Sequence, residues 1–429
     1  MANEFMLSEF DLFQSSKMQH QIQEQDYVEY SPISPIQYGT PFRIVANGAP
    51  QQYWDLYNSY VVLRVKLVKA AGGAFDANAG VAPINDIFDT LFSNIEVSLN
   101  DTVVSDNNGH YAECAYINKL LSYSDDVQKS RMRLEGFIKD TAGEFNARAV
   151  DGANAGYKDR LAMFAEGKEV ELMGKLNCDL FNQTKAILPN CKLILNFIPH
   201  RSLYNIICLD GLAADEPRMV IIDCRFRLHV LHTLSAIAAA HEHTLMTMPA
   251  RYWLNRMTAK HLTIPTGSTT VLQDNLYQGV LPKRLYFALV NDAAMTGTYA
   301  TNPLEFLHFN CRYFGLYKNG KLVTGKALEP DFSKGAYGEA YRLLNHSLHY
   351  NFGNKSVNLT TEEFAKGYTI YVFDLTPHQL SSCESPEVSG SIRVEIKFSQ
   401  ATGANINLLC VAEFTGLLQI DFNRHVMIS

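Results

Sequence analysis

Charge is sparse in this sequence. Only 19% of its 429 residues are Asp, Glu, Lys or Arg, where soluble proteins average about 25%. The balance is acidic, 37 basic against 44 acidic residues for a net charge of −7. The composition excludes a coiled coil and a wholly disordered protein, and it gives no chain-wide positive field for a phosphate backbone. The eight cysteines, Cys114, Cys178, Cys191, Cys208, Cys224, Cys311, Cys383 and Cys410, include no C-x-x-C pair. Neither a zinc ribbon nor a dithiol redox motif can be built from them, and free, mostly buried thiols are expected. Met1-Ala2-Asn3-Glu4-Phe5 opens the chain without a basic or sustained apolar stretch, so no secretory signal and a cytosolic or nuclear compartment are expected. A membrane span needs about eighteen uncharged apolar residues. The best stretch, residues 234–240, is short and flanked by His232, His241 and Glu242.

Apolar and aromatic residues are plentiful: 47% of the chain is hydrophobic, with 24 Phe and 22 Tyr. Their dominant period is two. Val61, Leu63, Val65 and Leu67 alternate with Arg64 and Lys66, the signature of a half-buried strand. Ile95, Val97 and Leu99 repeat it before the turn Asn100-Asp101, as do Cys191 to Phe197, and Ile222, Cys224, Phe226, Leu228 and Val230 against charged neighbours. Residues 233–247 break the pattern. They are alanine-rich, contain neither Gly nor Pro within the helical run, and predict a helix connecting two domains. Strands return at residues 284–290, 311–317 before Asn319-Gly320, 368–373, 392–398 and 406–422. Residues 1–34 are polar and glutamine-rich, without either period, and predict an arm.

The two halves share one order of parts. Ser93 to Val97, Asn100-Asp101, a long insertion, residues 176–180, the strand at 191–197 and the strand from Val220 correspond to Phe309 to Tyr313, Asn319-Gly320, a long insertion, residues 371–375, the strand at 391–398 and the final strands. An internal repeat of domain size predicts two copies of one module. Many short alternating strands joined by long loops favour a jelly roll over an up-and-down barrel. The expected fold is all-β: two tandem eight-stranded jelly rolls, a double jelly roll, with helical insertions in loops and a short helical connection. The expected boundaries are an arm at 1–34, jelly roll 1 at 35–232, a helical connection at 233–250 and jelly roll 2 at 251–429. In the first insertion Cys114, Ile117, Leu120 and Leu121 share one helical stripe, and Ser124 before Asp125 and Asp126 predicts an N-cap.

Chemistry is hard to find. No phosphate-binding glycine loop, H-E-x-x-H or G-x-S-x-G motif occurs. His229, His232, His241, Glu242 and His243 are five metal-ligand types in a short stretch. His241 and His243 fall in a helical segment, where positions i and i+2 do not face each other, so solvent-facing or interface histidines are expected and no metal ligand is assigned. Lys129, Arg131 and Arg133 are flanked by Asp125, Asp126 and Glu135 without an aromatic platform, which predicts a solvated helix face. Asp331 and Asp374 are expected as turn or cap residues. No catalytic residue, cofactor or enzymatic activity is expected. Two sandwich modules without chemistry point to binding or assembly, with a non-viral jelly-roll lectin or ligand-binding protein and a cupin-like metalloenzyme as the other readings.

Several segments carry a family likeness: Val28-Glu29-Tyr30-Ser31-Pro32-Ile33, Lys139-Asp140-Thr141-Ala142-Gly143, Leu281-Pro282-Lys283-Arg284, Leu328-Glu329-Pro330-Asp331-Phe332, and Gly367-Tyr368-Thr369 leading to Phe373-Asp374-Leu375-Thr376-Pro377. In collinear order from about residue 9 onward, the chain resembles the hexon-like, double jelly-roll major capsid proteins of Polinton (Maverick) elements and adintovirus-like viruses. The resemblance implies a homotrimeric, pseudo-hexagonal capsomer that tiles the icosahedral capsid of a double-stranded DNA virus. It also implies a single jelly-roll penton partner, possible minor or cement proteins, assembly in the host nucleus or cytoplasm, and residence in the virion. It further implies an N-terminal arm beneath the shell that reaches neighbouring trimers, with Phe10, Leu12 and Phe13 as its interface residues. Direct nucleic-acid binding is expected to be weak.

Overall fold

The computed structural model describes residues 21–350, 356–376 and 387–428. The first half contributes strands β1 (Ile22–Tyr30), β2 (Phe42–Asn47), β3 (Gln52–Val68), β4 (Val81–Pro83), β5 (Phe92–Leu99), β6 (Thr102–Ser105), β7 (Val170–Gly174), β8 (Lys192–Pro199), β9 (Ile206–Cys208) and β10 (Arg218–Thr233). Apart from the small β4–β9 ladder, they form two four-stranded sheets in the orders β1-β10-β3-β7 and β2-β8-β5-β6. The second half contributes β11 (Ala250–Ile264), β12 (Thr270–Val280), β13 (Arg284–Asn291), β14 (Cys311–Lys318), β15 (Lys321–Leu322), β16 (Ile370–Asp374), β17 (Ser389–Phe398), β18 (Ile406–Ile420) and β19 (Val426–Ile428). Its sheets run β11-β18-β13-β16 and β12-β17-β14-β15, with β19 added against β18.

Counting eight strands through each half gives the same order twice: first, eighth, third, sixth in one sheet and second, seventh, fourth, fifth in the other. That is the jelly-roll order, and the chain is a double jelly roll. The tight turns repeat as well. Asn100-Asp101 joins β5 to β6 and Asn319-Gly320 joins β14 to β15, all four residues at positive φ. Two-residue hairpins need that backbone to match strand twist, which explains the Asn, Asp and Gly there. The long insertions fall at the same place in both halves, between β6 and β7 and between β15 and β16.

Inward residues follow the alternation. Val61, Leu63 and Val65 are fully buried, each contributing roughly 1.5–3 kcal/mol by leaving water. In β10 the alternation slips. The pairing with β3 shifts between Ile221 and Asp223, so Met219 and Ile221 point inward before the slip and Cys224, Phe226, Leu228 and Val230 after it. Ile222, expected with the second set, is only half-buried; the bulge inserts one residue and flips the faces.

A larger difference lies at residues 22–30. This stretch, read as part of an aperiodic arm, is β1, an antiparallel strand paired to β10 from Ile22–Thr233 to Tyr30–Phe226. Seven of its nine residues are exposed, so both faces are largely polar and no period-two signal is written into it. The helix Ser235–Leu245 stands between β10 and β11, inside the stretch predicted to be helical. Seven of the eight cysteines, Cys383 lying outside the described residues, are buried and unpaired.

The two cores interlock. Leu245, Tyr252, Leu254, Leu418, Ile420 and Val426 from the second half pack into the first core. In return the insertion carrying helix Tyr111–Ser122 gives Tyr116, Ile117, Leu120, Phe137 and Phe145 to the second. Neither jelly roll closes its own core.

Candidate functional site

Three buried polar clusters and one exposed apolar groove are the features that bear on function, and the first lies at the junction of the two jelly rolls. At the junction two segments singled out in the sequence, Lys139–Gly143 and Gly367–Thr369, come together. The Gly143 amide donates to the Lys366 carbonyl (2.8 Å) and the Phe306 amide to the Gly367 carbonyl (2.8 Å). The Tyr368 hydroxyl donates to the Asp140 carbonyl (2.7 Å), and Lys139 pairs with Glu363 (2.7 Å). Gly367, at φ +100°, lies so close to Phe145 that a β-carbon would sit 2.4 Å from the ring; only glycine fits both constraints. Beneath them Arg160, 0% exposed, donates to Pro83 O (2.8 Å), Ile138 O (2.6 Å) and Asp140 Oδ1 (2.6 Å). Asp140 also accepts from Asn154 Nδ2 (2.8 Å) and Asn302 Nδ2 (3.3 Å).

A second buried charge sits on helix Tyr111–Ser122. Lys119 Nζ meets Asp86 Oδ1 (2.8 Å), Asp89 Oδ2 (2.6 Å) and Glu135 Oε2 (2.6 Å). One cation faces three carboxylates away from water. Burial raises the Asp86 carboxyl above its usual range against the pull of Lys119. Burial alone would lower Lys119, but the three carboxylates hold it well above the ordinary lysine value.

A third cluster joins the halves: His110 and Glu113 at the start of the same helix, Tyr204 and His200 from the loop after β8, and His261 from β11. The His110 and His261 rings stack with centroids 4.2 Å apart, as do His200 and Tyr204 at 3.7 Å. The Tyr204 hydroxyl donates to Glu113 Oε1 (3.0 Å). Burial pushes His261 and His200 down to about 4 and lowers His110. It pushes Glu113 up to about 7, against the lowering effect of its hydrogen bonds. The sequence reading passed over this cluster, because some 150 positions separate His110 from His261 and only folding brings them together.

The histidines weighed in the sequence do not converge. His229 faces Asp55 Oδ2 at 3.1 Å and stacks on Tyr27, His232 lies 3.7 Å from Asp26, and His241 meets the Tyr53 hydroxyl at 2.7 Å. Glu242 pairs with Arg424, and His243 is exposed on the connecting helix. The basic cluster is a surface feature: Lys129 pairs with Asp125 within one helical turn, Arg133 with Asp159, and Arg131 lies over Tyr123. Asp331 caps the turn at 332–334 and Asp374 accepts from the Thr376 amide and hydroxyl.

The surface of the chain carries exposed large apolar residues. Met246, Met248 and Trp253 are 65%, 56% and 48% exposed. Met248 borders a groove of about 440 Å³ floored by Tyr53, Ala186, Leu188, Leu245 and Tyr252. The chain reaches this end of the molecule at Gln21, whose carbonyl accepts from the Leu234 amide (3.4 Å) at the root of the connecting helix. Phe10, Leu12 and Phe13 lie outside the described residues. No helix among the described residues is long and apolar enough to cross a membrane.

No protein-family model matches the chain. A curated relative, "Uncharacterized protein F54H12.2" of Caenorhabditis elegans, is 22% identical over 408 residues, covering 91% of this chain and 93% of that protein. Among solved structures, a chain of the Sputnik virophage resolved by cryo-EM superposes with a TM-score of 0.67 at 13% identity, over 100% of this chain and 93% of that one. The Faustovirus major capsid protein superposes with a TM-score of 0.61 at 9% identity, over 97% and 93%. The architecture is therefore that of viral double jelly-roll major capsid proteins across the full length of the chain.

Proposed function

We propose that the chain is the major capsid protein of a double-stranded DNA virus or virus-like element, with a structural rather than an enzymatic role. The observation that carries this reading is the repeated jelly-roll order within one chain whose cores interlock. Three such subunits present six near-equivalent sides, so closed three-fold symmetry yields a pseudo-hexagonal tile able to meet copies of itself on an icosahedral net. Five-fold vertices then call for a separate penton protein. The Polinton, Maverick or adintovirus lineage is the one we favour, since a collinear relative in an animal is what an element residing in host chromosomes would leave. On this reading residues 1–20 form the arm, the first jelly roll starts at β1, the connection spans 233–250, and the second jelly roll follows at 251–429.

Light scattering of the purified chain should give a native mass near three times 48.2 kDa over a range of salt and pH. A monomer under every condition would overturn the capsomer reading and favour a ligand-binding jelly-roll protein.

The arm is assigned to contacts between capsomers, with Phe10, Leu12 and Phe13 as its apolar anchors. Fixing these residues against a neighbouring capsomer costs conformational entropy that the contacts must offset. Deleting residues 1–20, which leaves β1 whole, is expected to preserve the trimer and to cut the yield of closed particles at least tenfold by electron microscopy. Normal particle yield from the truncated chain would remove the arm from assembly.

A further inference from the structure

The geometry points to a divalent transition-metal site of the zinc class between the two jelly rolls, with His110, Glu113 and His261 as its protein ligands. One ligand atom from each of the three lies within 4.8 Å of the others. Glu113 is 2% exposed. Tyr204 satisfies its Oε1, yet Oε2 is buried with no hydrogen-bond partner, and so is Nε2 of His261. Buried polar atoms are ordinarily partnered, and leaving one bare costs about 1–3 kcal/mol. Two such atoms in one cluster of ligand-type side chains is an arrangement that a cation resolves.

The donor set has the right chemistry. Two imidazole nitrogens and a carboxylate oxygen suit Zn²⁺ and its first-row neighbours better than Ca²⁺ or Mg²⁺, which prefer all-oxygen shells. With metal–nitrogen bonds of about 2.0–2.1 Å, tetrahedral ligand atoms sit roughly 3.3 Å apart. The ligand atoms lie within 4.8 Å of one another, so binding an ion requires the stacked imidazoles of His110 and His261 to pivot about their side-chain bonds. Outer partners are already in place. The Tyr204 hydroxyl orients the Glu113 carboxylate, and His200 stacks on Tyr204 to hold that ring. Hydrogen bonds of this kind tune first-row sites. Asn107 Nδ2 donates to the Met257 carbonyl (3.3 Å), tying the approach to His110 to the strand that carries His261. The ligands belong to the first insertion and to β11, so a bound ion would clamp the first jelly roll to the second.

The test uses the full-length protein. After dialysis against a chelator, titration with Zn²⁺ should show saturable, stoichiometric binding that Mg²⁺ and Ca²⁺ do not compete away, together with a rise in melting temperature. Co²⁺ in place of Zn²⁺ should give the visible absorption of a low-coordinate nitrogen–oxygen site. Glu113→Gln and His261→Ala are each expected to weaken Zn²⁺ binding at least 100-fold, while His232→Ala, outside the cluster, leaves it unchanged. Because Glu113 and His261 are packed, His110→Ala at the half-buried helix start serves as the variant that keeps its fold. Near-ultraviolet circular dichroism verifies that fold, and a loss of affinity of at least tenfold is expected. Absence of saturable binding in the wild-type chain, or unchanged affinity in a folded His110→Ala protein, would overturn the site.

Discussion

Replacing Lys119 by methionine is expected to destabilise the subunit by about 3–5 kcal/mol near neutral pH, because it strands buried carboxylates without their cation. The loss should shrink as the solution is acidified. In the wild-type chain the folded pKa of Lys119 stands above its unfolded value, so its contribution is complete anywhere below the unfolded lysine range and constant across neutral pH. Without it the neighbouring carboxylates are buried with no cation beside them, and Asp86, already raised by burial against the pull of Lys119, stands still further above the unfolded carboxylate range. A carboxyl raised in this way favours the fold at low pH and loses that advantage as pH climbs through the folded value. Urea unfolding at about pH 5 and about pH 8 should therefore show the variant's deficit growing with pH. A uniform loss below about 1 kcal/mol at both values would mean that Lys119 behaves as an ordinary surface ion pair.

Much of this architecture is written plainly in the sequence, and the reasons for the exceptions are physical. Strands with one wet face announce themselves: Val61 to Leu67 and Ile392 to Phe398 alternate because one side meets the core and the other water or ion pairs. The repeated order of parts is legible because the Asn100-Asp101 and Asn319-Gly320 turns impose the same backbone demand in both halves. β1 is illegible because it is an edge strand held by its ladder to β10 rather than by a buried face. β13 and β18 are visible as apolar runs without alternation, since Leu285 to Val290 and Ile406 to Ala412 are buried on both faces. The junction is hidden for another reason. The segments holding Asp140 and Tyr368 stand out in the sequence, but Arg160 and Asn302 do not, and nothing local in the chain says that an insertion of the first jelly roll fills the core of the second. The histidine-rich stretch at 229–243 drew attention by proximity in sequence, whereas His110, Glu113 and His261 are close only in space.

Arg160→Met should rank with Lys119→Met in effect, about 3–5 kcal/mol, but through the clamp between jelly rolls. The guanidinium satisfies two backbone carbonyls, Pro83 and Ile138, as well as Asp140, and methionine fills its volume while satisfying none. Asp140 would keep Asn154 and Asn302 as donors but lose its only charged partner among the described residues. Asp140→Asn alone should also destabilise, since it leaves Arg160 as an unbalanced buried cation. The double variant Arg160→Met with Asp140→Asn removes both charges and should lose less than the sum of the two single changes, by about 1–3 kcal/mol in a thermodynamic cycle. Additive losses would show that Arg160 acts through its carbonyl contacts and not through the ion pair. The site of damage matters more than its size. Tyr368 donates to the Asp140 carbonyl, and the Gly143 and Phe306 amides hold the same strip of chain, so loosening Asp140 frees one jelly roll to shift against the other. Under the proposed capsomer role, a tile with six matched sides tolerates little such movement. The folded fraction of Arg160→Met, isolated at low temperature, should therefore form closed particles poorly even where light scattering still finds trimers. Particle yield that simply tracked the amount of folded protein would confine Arg160 to stability alone.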